Sequence, residues 1–175
     1  MQVPALTLVL GGARSGKSRY AEGLVQALPP PWIYVATAQA YDNEMRERIS
    51  THRTRRPAGW STVEAPLGLV AAIREAPEGA PVLVDCLTLW LTNVLLSERD
   101  VASEIDDLMQ ACRRAPGPLI LVSNEVGLGI VPDNALSRRF RDEAGLLHQR
   151  IAEIADRVVL MVAGLPLVAK REGRR

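Results

Sequence analysis

A chain of 175 residues, 47% hydrophobic and 23% charged, has the size and balance of one soluble domain, spanning 1–175, with a single core. A net charge of +1 removes any general electrostatic case for binding nucleic acid or a membrane surface. Cys86 and Cys112 have neither CxxC nor metal-ligand spacing, so nothing points to a zinc site or demands a disulfide. The first apolar run is too short to span a membrane and lacks a basic leader and a small-residue cleavage site. It reads as the start of a buried strand in a cytoplasmic protein.

In chain order, apolar runs predict strands over 6–10, 32–37, 82–85, 119–123 and 158–162. Helical patterns between them cover 17–28, 42–52, 67–76, 87–96, 102–114 and 134–155. Near-continuous apolar strands such as "PVLVD" and "PLILVS" suit a sheet buried on both faces. The alternation predicts an α/β layered fold with a mainly parallel central sheet. Ligands of such sheets gather at the carboxyl ends of the strands.

After the first strand comes "GGARSGKS", which fits G-x-x-x-x-G-K-[ST] with Gly11, Gly16, Lys17 and Ser18 in the required places. Gly11 and Gly16 permit backbone angles that other residues resist, so successive N–H groups can line one concavity. The helix that follows adds its positive dipole end. Lys17 can reach the outer phosphates of a nucleotide, and the Ser18 hydroxyl can ligate Mg²⁺. The other reading is a glycine-rich turn that binds nothing, but the strand before and the amphipathic helix after favour a phosphate cradle.

Such a site also needs a carboxylate at another strand end. "PVLVDCLT" offers Asp85, favoured for Mg²⁺ or for base chemistry; a cap on the next helix by Asp85 or Thr88 is the alternative, and both roles can hold together. The guanine-reading N-K-x-D of switch GTPases is absent, and a domain of this size is small for a motor.

In 42–52, Asp42 is a candidate N-cap, and Met45, Ile49 and His52 share one helical face. Arg53, Arg55 and Arg56 follow. Their field favours neutral imidazole, the form able to attack phosphorus. The rival reading is a solvated basic turn that closes before Pro57. "NEVGLGIVPDN", between a strand and a helix, is a candidate lid or substrate wall, or else a structured turn whose Asp133 or Asn134 caps the next helix. Trp32, Trp60 and Trp90 could face a flat ligand, but packing is the better reading.

Taken together, "GGARSGKS", "YVATA", "DNEMRERISTHRTRRPAGWSTVEAP", "LVDCLTLWLTNVL", "VSNEVGLGIVPDNALSRRFRDEAG" and "VAGLP" resemble the bifunctional adenosylcobinamide kinase / adenosylcobinamide-phosphate guanylyltransferase family. The resemblance implies a RecA-like P-loop NTPase fold of three layers and two reactions. ATP or GTP would phosphorylate adenosylcobinamide. GTP would then give GMP to adenosylcobinamide phosphate through a guanylyl-histidine, releasing pyrophosphate. His52 falls on the nucleophile's position, and His148 lies outside the motif as a structural residue. The resemblance places nucleotide contacts at Gly11, Gly12, Ala13, Arg14, Ser15, Gly16, Lys17 and Ser18. It also places them at Thr37, Ala38 and Gln39, at Arg53, Thr54, Arg55 and Arg56, and at Glu64 and Asp85. Ser18 and Asp85 would hold Mg²⁺. A homo-oligomer such as a trimer, with the site near a subunit boundary, is also implied. Two rival readings remain: a single-activity small-molecule P-loop kinase, and a non-catalytic nucleotide-binding regulator.

Overall fold

A computed structural model describes residues 5–39 and 58–171. The helix expected over 42–52, with His52, and the following Arg53, Thr54, Arg55 and Arg56 lie outside the described residues.

Seven strands form one sheet among the described residues, in the order β3-β2-β4-β5-β1-β6-β7. They are β1 Leu6–Gly11, β2 Trp32–Ala36, β3 Trp60–Glu64, β4 Val82–Asp85, β5 Leu119–Asn124, β6 Arg157–Val162 and β7 Leu165–Lys170. Every pairing is parallel except β6 with β7. The helices are α1 Lys17–Gln26, α2 Leu69–Arg74, α3 Leu87–Leu96, α4 Val101–Arg113 and α5 Ala135–Ile154.

Period-two alternation gives the sheet two packed faces. In β4, Val82 and Val84 join the cluster beneath α2 to α5, while Leu83 joins the cluster beneath α1. Helix α1 meets the sheet through Ala21 and Val25, four residues apart, against Val9, Leu83, Ile120 and Val122. On the other face, α4 buries Val101, Ile105, Leu108 and Cys112 at spacings of three and four. Its first turn is held by Asp100, whose carboxylate accepts from the Ser103 N–H at 2.9 Å. Each fully buried aliphatic side chain contributes roughly 1.5–3 kcal/mol of transfer free energy. The layers therefore hold the strand ends, where chemistry is expected, on a rigid base.

Two strands escaped the sequence pattern. β3, "WSTVE", is an outer strand, exposed over four of its five residues. β7, "LPLVAK", is the other edge, mostly exposed and carrying Pro166. Both lack the apolar continuity of buried strands, and proline is tolerated at a sheet edge. Among the described residues, no helix is long and apolar enough to cross a membrane.

Candidate active site

The parallel strands point their carboxyl ends to one edge. Ala36 is in register with Glu64 on one side and with Asp85 on the other, while Gly11 is in register with Asn124. Glu64 and Asp85 are therefore two strands apart, about 10 Å, and β5 alone separates the strand of Asp85 from that of Gly11. Alternation also assigns faces: Leu83 and Trp60 pack on the α1 side, so Asp85 and Glu64 fall on that side too. Phosphate loop and carboxylates share one face of one edge.

The loop from Gly11 to Gly16 passes directly into α1, whose N-cap is Gly16 at φ 91°. A side chain at Gly16 would be strained there and would lie 3.3 Å from Gly164 Cα. Gly11 is required for a different reason from the one expected. Its backbone angle is ordinary, but an added Cβ would meet Ser15 Oγ and lie 2.9 Å from the Met161 carbonyl. Among the described residues, nothing lies within 4 Å of such a Cβ at Gly12, while Arg14 takes the left-handed conformation at φ 54° without being glycine.

The loop is braced on both sides. Glu125 N–H donates to Gly11 O at 3.0 Å, and Gly164 N–H, in the β6–β7 turn, donates to Ser15 O at 3.0 Å. Lys17 is buried, and its Nζ donates to Gly12 O at 3.0 Å, which holds the ammonium against the loop. Ser15 Oγ is buried without a hydrogen-bond partner among the described residues, a polar atom that an anion in the cradle could satisfy. Ser18, in the first turn of α1, is half-buried.

Asp85 ends β4, and its Oδ2 accepts from the buried Tyr34 hydroxyl at 2.9 Å. Neither capping role considered for this stretch occurs. The N-cap of α3 is Cys86, without a side-chain cap bond, and Thr88 Oγ1 instead meets Cys86 Sγ at 2.9 Å and accepts from Asn124 Nδ2 at 3.0 Å. Burial, with the negative charge of Asp85, pushes the Cys86 thiol up, so it stays protonated at neutral pH. Hydroxyl and carboxylate oxygens, as on Ser18 and Asp85, are the hard donors Mg²⁺ prefers, so this pair fits that ion.

Thr37 is fully buried and behaves differently from an open nucleotide contact. Its Oγ1 accepts from Cys86 N–H at 2.8 Å and donates to Cys86 O at 2.7 Å, and its carbonyl accepts from Asn93 Nδ2 at 2.8 Å. Threonine here joins the end of β2 to the end of β4. Ala38 and Gln39 are half-buried beyond it, and Glu64 is exposed at the end of β3. His148 is distant in sequence and packs structurally: its Nε2 is 2.7 Å from Ser123 Oγ. Burial lowers its pKa, and Glu125 partly opposes this.

The segment after β5 is a structured turn. Glu125 accepts from the N–H groups of Gly127 at 2.6 Å and Leu128 at 3.2 Å, and Asn134 caps α5 by accepting from Ser137 N–H at 2.8 Å. Between them Leu128 and Ile130 are 85% and 98% exposed, so this turn presents apolar surface beside the loop. Trp90 is fully buried, while Trp32 on β2 and Trp60 on the edge strand β3 pack with ring centres 5.6 Å apart and planes tilted by 49°. Tyr34, Asn93, Asn124 and Gly164 were not singled out in the sequence. Tyr34, Asn124 and Gly164 lay inside the stretches "YVATA", "NEVGLGIVPDN" and "VAGLP" without a role of their own, and Asn93 left a signal as one amide in the apolar helix "LTLWLTNVLL".

Solved structures share this architecture at low identity. A type III secretion ATPase superposes with a TM-score of 0.56 at 12% identity, over 94% of this chain and 56% of that one. A KaiC-like protein of Pyrococcus horikoshii gives 0.54 at 14%, over 98% and 81%. The flagellar accessory protein FlaH of Methanocaldococcus jannaschii gives 0.52 at 14%, over 97% and 80%. These likenesses show the fold, a layered α/β architecture around a mainly parallel sheet. Sequence relatives are closer. The bifunctional adenosylcobalamin biosynthesis protein CobP of Pseudomonas aeruginosa is 55% identical over 168 residues, covering 94% of this chain and 97% of that protein. The bifunctional adenosylcobalamin biosynthesis protein CobU of Salmonella typhimurium is 43% identical over 182 residues, covering 94% and 99%. The CobU model, described as cobinamide kinase / cobinamide phosphate guanyltransferase, matches residues 7–169. The chain belongs to the cobinamide kinase / cobinamide phosphate guanyltransferase family.

Proposed function

We propose that this protein phosphorylates adenosylcobinamide with ATP or GTP and then transfers GMP from GTP to the resulting phosphate, in the cytoplasm and as a homo-oligomer. The observation that carries this reading is the shared edge: a braced phosphate loop with Asp85 and Glu64 on the same face of the sheet. Family membership supplies the two reactions.

In the first reaction the loop amides and Lys17 hold the triphosphate and offset charge as the γ-phosphoryl group moves to the substrate hydroxyl. Lys17 exchanges its bond to Gly12 O for phosphate oxygens. Ser18 and Asp85 would hold Mg²⁺, which when bound supplies further charge neutralisation at the phosphates. Tyr34 fixes the Asp85 carboxylate by its hydrogen bond, so the carboxylate needs little reorganisation.

In the second reaction a neutral His52 nitrogen attacks the α-phosphorus of GTP. An N–P bond forms and the bond to pyrophosphate breaks. A phosphate oxygen of adenosylcobinamide phosphate then attacks the same phosphorus, the N–P bond breaks, and the imidazole is released. Arg53, Arg55 and Arg56 offset charge on the α-phosphate and pyrophosphate, through bidentate contacts where the geometry allows. Glu64, Ala38 and Gln39 serve the nucleoside end, with the buried Thr37 anchoring their segment. Incubation of adenosylcobinamide with GTP and Mg²⁺, followed by mass spectrometry, tests the reading: adenosylcobinamide-GDP and pyrophosphate are expected. Phosphorylated cobinamide alone would reduce the protein to a kinase, and no turnover would leave a nucleotide-binding regulator.

A further inference from the structure

We propose that Asn93 is a positioning residue for the nucleoside end of the site, an assignment that rests on the reading of Glu64 and 37–39 given above. Helix α3 buries Leu87, Trp90, Leu91 and Val94, and Asn93 lies buried with them at 4% exposure. An amide at such a position is costly to bury unless it is bonded, and asparagine is a poorer helix former than the leucines around it. Its Nδ2 donates twice, to Thr37 O at 2.8 Å and to Pro66 O at 2.9 Å.

These two carbonyls belong to different chain segments, and both lie just past the end of a ladder. The β2–β3 pairing reaches Ala36 and Glu64 in register and closes with Ala65 N–H on Ala36 O at 2.8 Å. Asn93 adds one side-chain rung beyond that bond. β3 is an edge strand, with no strand on its far side to hold it among the described residues. Asn93 therefore ties the exit of β2, which carries Thr37 to Gln39, to the exit of β3, which carries Glu64, beyond the last backbone bond between the two strands. The phosphate loop does not depend on it, because its braces come from Glu125 and Gly164.

This separation makes the proposal testable. Inorganic tripolyphosphate with Mg²⁺ probes the phosphate loop alone, whereas GTP with Mg²⁺ probes loop and nucleoside contacts together. Calorimetry on wild type, Asn93→Leu and Asn93→Asp should show tripolyphosphate affinity changed less than twofold. GTP affinity should fall at least tenfold. A filler role would lower the melting temperature and leave the ratio of the two affinities unchanged, and that result in a folded variant overturns the assignment. Wild type binding GTP no more tightly than tripolyphosphate would instead show that these segments do not hold the nucleoside, and the purpose assigned to Asn93 would fall with that reading. Hydrogen exchange on the unmutated protein gives an answer without any variant. GTP, but not tripolyphosphate, should slow the amides of 37–39 and of 64, 65 and 67 together, and protection of only one segment contradicts a shared clamp.

Discussion

Gly11→Ala isolates the physical reason for the first glycine of the phosphate loop. The added methyl group would meet Ser15 Oγ, which can rotate away, and the Met161 carbonyl at 2.9 Å, which cannot move without disturbing β6. Met161 Cβ, at 3.1 Å, closes a third side. Overpacking of this kind costs about 1–3 kcal/mol. Gly12→Ala is the internal control: nothing among the described residues lies within 4 Å of its added Cβ, so its unfolding free energy should stay within about 0.5 kcal/mol of wild type. Urea denaturation of the two variants beside wild type measures the difference. Nucleotide affinity of Gly11→Ala should also fall, by about tenfold for each 1.4 kcal/mol of distortion borne by the loop. Equal stability of Gly11→Ala and Gly12→Ala would refute the crowding argument.

Two further predictions concern charge. Lys17→Ala should lower kcat/KM of both half-reactions by about 10²–10³, the scale for losing one group that neutralises transition-state charge, as read by separate kinase and guanylyl-transfer assays. Loss of one half-reaction alone would show that the two do not share the loop. His148 is held below its ordinary pKa of 6.5, mainly by burial, so the unfolded chain binds the proton more readily than the folded one. Stability is then full above pH 6.5 and falls as pH drops from there toward the lowered folded value. Denaturation as a function of pH should show this slope in wild type and a weaker one in His148→Gln.

The inner strands were legible because a strand buried on both faces must be apolar throughout, as "PVLVD" and "PLILVS" are. β3 and β7 were not, because an edge strand needs no such run and tolerates Pro166. The phosphate loop could be read in full from its spacing, yet the reason for Gly11 could not: Met161, which crowds it, lies near the other end of the chain. Thr37 illustrates the same limit. Its position after β2 was clear, but its bonds to Cys86 and Asn93 depend on α3 crossing the strand ends, which no local pattern encodes. Asp85 kept its place at the strand end, while the alternative of a cap by Asp85 or Thr88 gave way to Cys86, where the helix begins.

Covalent capture tests the central claim most directly. Protein incubated with α-³²P-labelled GTP and Mg²⁺, then denatured, should retain label that is lost in acid and stable in alkali, the signature of an N–P bond. His52→Ala should carry none while still phosphorylating adenosylcobinamide. Label of the same stability on His52→Ala, or full guanylyl transfer by it, would contradict the account.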